Sequence, residues 1–291
     1  MKVFIVGASG LIGSHCMQHF QAAGADVVGT HRSFATPSTV YFDPGDDSSW
    51  EVLKQFAPDI IIHCGAMTNA DYCESNVAES EELTVVSVKK LCDYCRESGC
   101  KFVYISTDYI FDGQAGPYRE DTIPNPLNVY GRHKLAAEQL VQQLDDYLIA
   151  RVTNVYGEEL RNKNFISRLV GWLTSDEERE ANIPYDQFAT PLYAGDVGGM
   201  LVLLMRDKKQ GVYNFASTDY FSRYQLARKV CSYFPEHTGL TLHAISTAEL
   251  KQAANRPLKG GLNNQKFSLE YPEYLYTNID SYLLKIRRNG V

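Results

Sequence analysis

The chain has 291 residues, 44% of them hydrophobic and 22% charged, which excludes disordered and fibrous classes and allows one large domain or two small ones sharing a core. Its 28 basic against 35 acidic residues give a net charge of -7, the wrong balance for tracking nucleic-acid phosphates. No stretch approaches the roughly 18 uninterrupted apolar residues of a membrane span.

In chain order, an apolar strand pattern begins at once over 2–6, with no charged leader, long apolar segment or cleavage site before it, so a soluble cytoplasmic protein is expected. A helix is predicted over 11–23, strands over 26–30 and 39–42, a helix over 48–56, a strand over 59–63, a helix over 77–98 and a strand over 101–105. Strands alternating with amphipathic helices predict an α/β fold, a Rossmann-type doubly wound parallel sheet, and continuous runs such as Ile60-Ile61-Ile62 suit strands buried on both faces. A turn-rich segment over 108–126 leads to a helix beginning near Asn128, and a strand follows over 147–152. Beyond it the pattern loosens, which predicts a dinucleotide-binding domain over 1–152 and mainly a substrate-covering lobe over 153–291 that returns a strand or helix to the first domain. Seven cysteines, an odd number outside any disulfide framework, read as reduced thiols. The one C-x-x-C, Cys92 to Cys95, falls in the predicted helix without a second pair, so packing is expected there and no metal.

The first strand runs into Gly7-Ala8-Ser9-Gly10-Leu11-Ile12-Gly13 directly before a helix. Glycine allows a sharp turn and a close backbone approach to a pyrophosphate, whose charge meets the free N–H groups at the helix start. Ala8 stands where the usual fingerprint has its second glycine, so the weight comes from the position of the motif at the head of an alternating chain. At the end of the second strand, where an NAD-specific site has a carboxylate for the ribose 2′-hydroxyl, the chain reads Gly29-Thr30-His31-Arg32. Arg32 offers a planar cation for a 2′-phosphate instead, so the expected cofactor is NADP, bound as NADPH.

Tyr130 and Lys134 are four residues apart at a helix start and so share a face. With nineteen tyrosines in the chain, about one such pair arises by chance, and the context has to carry the reading. That context is Ser106-Thr107-Asp108-Tyr109-Ile110-Phe111-Asp112-Gly113 at the end of a buried strand, Pro126-Leu127-Asn128-Val129-Tyr130-Gly131, and Lys134-Leu135-Ala136-Ala137-Glu138. With Arg256-Pro257-Leu258-Lys259-Gly260-Gly261-Leu262-Asn263 near the C-terminus, these strings resemble the extended short-chain dehydrogenases/reductases and, more closely, the dTDP-4-dehydrorhamnose reductase family.

The resemblance implies NADPH-dependent reduction of the 4-keto group of a nucleotide-linked deoxysugar. Tyr130 would protonate the carbonyl oxygen, Lys134 would lower the phenol pKa and hold the nicotinamide ribose, and Thr107 would hydrogen-bond the reacting oxygen. It further implies cofactor contacts from Ser9, Leu11 and Ile12 in the glycine turn, from Asp43 toward the adenine, and from Cys64, Gly65, Ala66, Thr68 and Ser106 toward the ribose side. Asp108, Tyr109, Asn154, Gln187 and Arg256 would face the sugar nucleotide. The chain departs from the family at Asn154, where a tryptophan is frequent, and only loosely matches its substrate loop over 186–191, so the pocket is expected to differ. Tyr109 follows Asp108 where sugar-nucleotide 4,6-dehydratases carry a glutamate, which argues against water elimination. Epimerisation by the same Tyr–Lys pair stays open, as does a non-catalytic role like that of the NADP-binding β subunit of methionine adenosyltransferase. Neither nucleic acid nor membrane is an expected partner, and a homodimer is compatible with the chain.

Overall fold

The computed structural model describes residues 1–175 and 177–289. Strand β1 (Lys2–Val6) leads through the glycine turn into α1 (Leu11–Ala22), followed by β2 (Asp26–His31), β3 (Thr39–Tyr41), α2 (Trp50–Phe56) and β4 (Ile60–His63). Two short helices, α3 (Ala70–Ser75) and α4 (Val77–Glu81), precede α5 (Ser87–Ser98), β5 (Lys101–Thr107), α6 (Val129–Val141) and β6 (Tyr147–Val152). The remainder comprises α7 (Phe165–Leu173), β7 (Arg179–Pro184), β8 (Phe188–Ala189), α8 (Ala194–Arg206), β9 (Gly211–Asn214) and β10 (Phe221–Ser222). After these come α9 (Arg223–Ser232), β11 (Leu240–Ile245), α10 (Gln265–Glu270) and α11 (Ile279–Arg288).

Seven parallel strands form one sheet in the order β3-β2-β1-β4-β5-β6-β9, the doubly wound arrangement expected of the alternating pattern. The order reverses between β1 and β4, so their carboxyl ends open a crevice of the kind in which such sheets hold ligands. Burial on both faces explains the apolar runs. Val3 and Ile5 pack against α1 and α8, whereas the intervening Phe4 and Val6 pack beneath α2, α5 and α6. The helix expected over 77–98 is continuous but not uniform, since a π-helical turn at Glu82–Val86 separates α4 from α5. Cys92 and Cys95 are buried on α5, with the Cys95 sulfur 3.0 Å from that of Cys100.

After β6 the chain does two things. It returns β9 to pair with β6 and lays α8 along α1, completing one face of the sheet. It also builds a smaller body of its own, in which α7, α9, α11 and the paired β7 and β11 enclose Tyr156, Leu169, Val230 and Tyr282. Residues 176, 290 and 291 of the expected lobe lie outside the described residues. Among the described residues no helix is long and apolar enough to cross a membrane.

Candidate active site

The crevice begins at the glycine turn. Gly7 has φ of +81°, and a side chain there would stand 2.9 Å from the backbone nitrogen of Gly65, so only glycine lets the turns after β1 and β4 touch. Gly10 caps α1 without a side-chain hydrogen bond, which leaves the first N–H groups of a twelve-residue helix facing the crevice. Ser9, Leu11, Ile12 and Gly13 belong to this turn and first helical residues, and Cys64, Gly65 and Ala66 border it from β4. Thr68 is exposed further along the same loop. A cradle that any Cβ would fill, closed by a helix start, fits a dinucleotide pyrophosphate.

At the adenosine end, Arg32 and Asp43 are bonded to one another. Arg32 Nε donates to Asp43 Oδ2 at 2.8 Å, and the other carboxylate oxygen accepts from Gly45 N at 2.8 Å. The Arg32 side chain is 52% exposed and, among the described residues, makes no other ion pair, so its terminal nitrogens remain available to a phosphate. Asp43 therefore orients Arg32, a relation the sequence reading did not contain.

The candidate reactive groups gather where β5 ends. Thr107, its last residue, accepts a hydrogen bond from Tyr109 N at 3.2 Å and faces the phenol of Tyr130 on α6. Helix α6 is fixed there by Asn128, whose side chain accepts from Gly131 N at 2.8 Å and donates to Asn255 O at 2.7 Å, and by Glu74, which accepts from Val129 N at 2.7 Å. One turn on, Lys134 is 2% exposed, donates to Ile105 O at 2.6 Å and lies 4.0 Å over the ring of Tyr104. Burial pushes its ammonium down to about 7, against a smaller opposite pull from Glu138. Burial also raises the Tyr130 phenol above its ordinary value; the Thr107 hydroxyl opposes this, while Tyr109, Asp108 and Cys73 add to it. Lys134 is not among the main influences on that phenol; its ammonium donates to the Ile105 carbonyl instead. Ser106 is buried between these residues, and its hydroxyl has no partner among the described residues.

On the substrate side, Asp108 is 4% exposed, and its Oδ2 accepts from Thr153 Oγ1 at 2.8 Å and Gly261 N at 3.0 Å. It ties β5, β6 and the loop over 256–263 together while bordering a small cleft with Tyr109, Asn154, Gln187 and Pro257. Tyr109 packs edge-on against Tyr130 with centroids 5.6 Å apart. Gln187 donates to Thr247 Oγ1 at 3.1 Å. Arg256 pairs with Asp71 at 2.6 Å and stands 5.8 Å over the ring of Tyr109, which borders the small cleft. The carboxylate on α3 thereby holds Arg256, and with it the C-terminal loop, over Tyr109.

The sequence reading missed a second cleft of about 210 Å³ beyond Asn154, lined by Lys163, Arg168 and Arg223 among others. Arg223 borders both clefts and donates to Asn154 Oδ1 at 2.9 Å. Burial lowers its pKa, with Arg168 and Arg256 acting in the same direction and Tyr109 and Asp108 opposing. None of Lys163, Arg168 and Arg223 makes an ion pair among the described residues, so the cleft presents cations without a protein anion. No motif announced them: they sit on a loop, on α7 and at the start of α9, joined only by tertiary folding.

Comparison with known proteins places these observations in a family context. The family model described as RmlD substrate binding domain matches residues 1–277. The chain is 30% identical over 274 residues to a probable low-salt glycan biosynthesis reductase of Haloferax volcanii, covering 90% of each chain. It is also 30% identical over 232 residues to the methionine adenosyltransferase 2 subunit beta of Xenopus tropicalis, covering 77% of this chain and 70% of that one. Among solved structures, the dTDP-4-dehydrorhamnose reductase of Bacillus anthracis, in complex with NADP, superposes with a TM-score of 0.85 at 27% identity, covering 99% of this chain and 97% of that one. A dTDP-4-dehydrorhamnose reductase of Clostridium acetobutylicum gives 0.87 at 23% identity over all of both chains, a likeness of fold.

Proposed function

Since the chain belongs to the RmlD family of extended short-chain dehydrogenases/reductases, we propose that it reduces the 4-keto group of a nucleotide-linked deoxysugar with NADPH. The observation that carries this reading is the junction of two sites: Thr107, Tyr130 and Lys134 stand beside the dinucleotide crevice, and the clefts bordered by Arg223 run on from Tyr109. The cations that line the larger cleft without a salt-bridge partner suit the diphosphate of a sugar nucleotide.

The bound cofactor supplies the hydride. Tyr130 Oη gives its proton to the sugar carbonyl oxygen as that oxygen gains negative charge, and Thr107 Oγ1 holds the oxygen in line. Lys134, one turn along the same helix and bonded to Ile105 O, is the cation that would stabilise the phenolate that remains. Asp108 keeps the end of β5 and the C-terminal loop in fixed relation, so the carbonyl is held against the donor rather than near it.

The test is consumption of NADPH with dTDP-linked and UDP-linked 4-keto-6-deoxysugars. Turnover with either supports the proposal, and a protein that binds NADPH but reduces neither opposes it. A second reading, a non-catalytic regulatory subunit, is favoured by the similarity to methionine adenosyltransferase 2 subunit beta. Stable co-purification with a methionine adenosyltransferase catalytic subunit, without ketone reduction, would select that reading.

A further inference from the structure

The loop after β6 carries a residue that no motif assigns. Gly157 lies against the first turns of α1, and a side chain there would meet Leu11 Cδ1 and His15 Nε2 at 3.3 Å each, so glycine lets the backbone lie on the helix. His15 Nε2 then bonds Glu158 O at 3.2 Å, securing the strand of loop that follows. Three residues later Arg161 reaches back over the glycine turn: a side chain on Gly10 would come within 3.7 Å of Arg161 Nη2. Its guanidinium carbon stands 5.4 Å from the ring centre of Phe34, which lies just past Arg32. Arg161 Nε is buried without a hydrogen-bond partner, and Arg161 makes no ion pair among the described residues, although two glutamates, Glu158 and Glu159, precede it.

An arginine with a buried unpartnered N–H at the start of α1 is costly without an anion, and the helix start beside it calls for the same charge. We infer that Arg161 is a cofactor-binding residue, a clamp from the lobe that pairs with the dinucleotide pyrophosphate over the glycine turn. It acts opposite the backbone N–H groups, so the pyrophosphate is held from two bodies of the protein at once. Phe34 stacks on the guanidinium and limits its rotamers, which aims it at the turn rather than at solvent. Because Arg161 is carried by the loop leading to α7, cofactor binding also fixes the position of the lobe. This rests on a dinucleotide in the crevice and is independent of which sugar is reduced.

The test is direct titration of NADPH and NADH by fluorescence, without sugar, on the full chain. Both cofactors carry the pyrophosphate and only one carries the 2′-phosphate. Arg161→Ala is expected to weaken both by the same factor, about ten- to hundredfold for a charge-assisted pair, leaving the NADPH-to-NADH ratio as in the wild type. Arg161→Lys should recover part of the loss, and neither variant should change the far-UV spectrum of the cofactor-free protein. Unchanged affinity for both cofactors overturns the assignment. A loss confined to NADPH overturns it as well, moving Arg161 to the 2′-phosphate. Wild-type protein that binds neither cofactor removes the crevice reading itself, which is a different failure from loss of sugar reduction with cofactor affinity intact.

Discussion

Tyr130 and Lys134 are set against each other by burial: the phenol is held protonated across neutral pH, while the ammonium is pushed down to about 7. A protonated phenol is ready to donate, and the difficulty lies in stabilising what is left, for which Lys134 is the cation on the same face. Tyr130→Phe is expected to keep cofactor affinity and lower kcat by about 10² or more, measured by steady-state reduction beside direct NADPH titration. In the free enzyme, kcat/KM should fall as pH rises through about 7, as Lys134 loses its proton, whereas a limb displaced well above this would show the lysine to be better solvated than its surroundings suggest. The same ionisation bears on stability. The unfolded lysine keeps its proton to about 10.4, so between the two values the unfolded state binds more protons and stability rises with pH; Lys134→Met should flatten that slope in denaturant titrations. At the other end of the crevice, Arg32→Ala should weaken NADPH by about 1.5 to 3 kcal/mol and leave NADH almost unchanged, since Asp43 already holds the guanidinium in place. Equal affinity of the wild type for the two cofactors would detach Arg32 from the site.

The helix that carries the reactive pair is positioned by its first turn. Asn128 caps α6 and binds Asn255 O, so one side chain sets both the start of the helix and its distance from the C-terminal loop. Asn128→Ala should cost about 0.5 to 2 kcal/mol of stability by thermal or denaturant unfolding. It should also lower kcat more than cofactor affinity, because Tyr130 rides on the frayed turn; unchanged kcat would mean that packing alone places the helix. At this scale the sequence was legible where period and punctuation agree: the alternating runs gave six of the seven sheet strands to within two residues, and Gly7, Gly10 and Gly13 marked the turn, whereas β9 was foreseen only as an unplaced return to the first domain. It was not legible where geometry comes from pairings distant in sequence. The π-helical turn at Glu82–Val86 keeps the apolar spacing of an ordinary helix, and nothing local to Arg256 reveals that Asp71, 185 residues away, takes its charge. Arg161 and Arg223 were missed for the same reason, since a lone arginine in a loop or at a helix start reads as solvated until the fold brings a crevice to it.

For the whole molecule, the consequence lies in how the second half of the chain completes the first. Helix α8 presents Val197, Met200, Leu201, Leu204 and Met205 to the face of the sheet that α1 covers only in part, and β9 pairs with the otherwise open edge of β6. Burying a side chain of this size contributes roughly 1.5 to 3 kcal/mol, so these five together supply about 7.5 to 15 kcal/mol. That is as large as the net stability of a typical domain, about 5 to 15 kcal/mol. A polypeptide ending at residue 152 retains every residue of the glycine turn and the Tyr130–Lys134 pair, yet loses this contribution, and it also loses Gly261 and Asn255, which bond Asp108 and Asn128. We predict that the 1–152 fragment does not fold cooperatively: it should bind a hydrophobic dye, lack a sigmoidal denaturant transition and fail to bind NADPH, whereas the full chain unfolds in one transition that includes the lobe. A fragment that melts cooperatively and binds the cofactor would show that the sheet closes its exposed face without α8, and the two halves of the chain would then be separable in folding as well as in sequence.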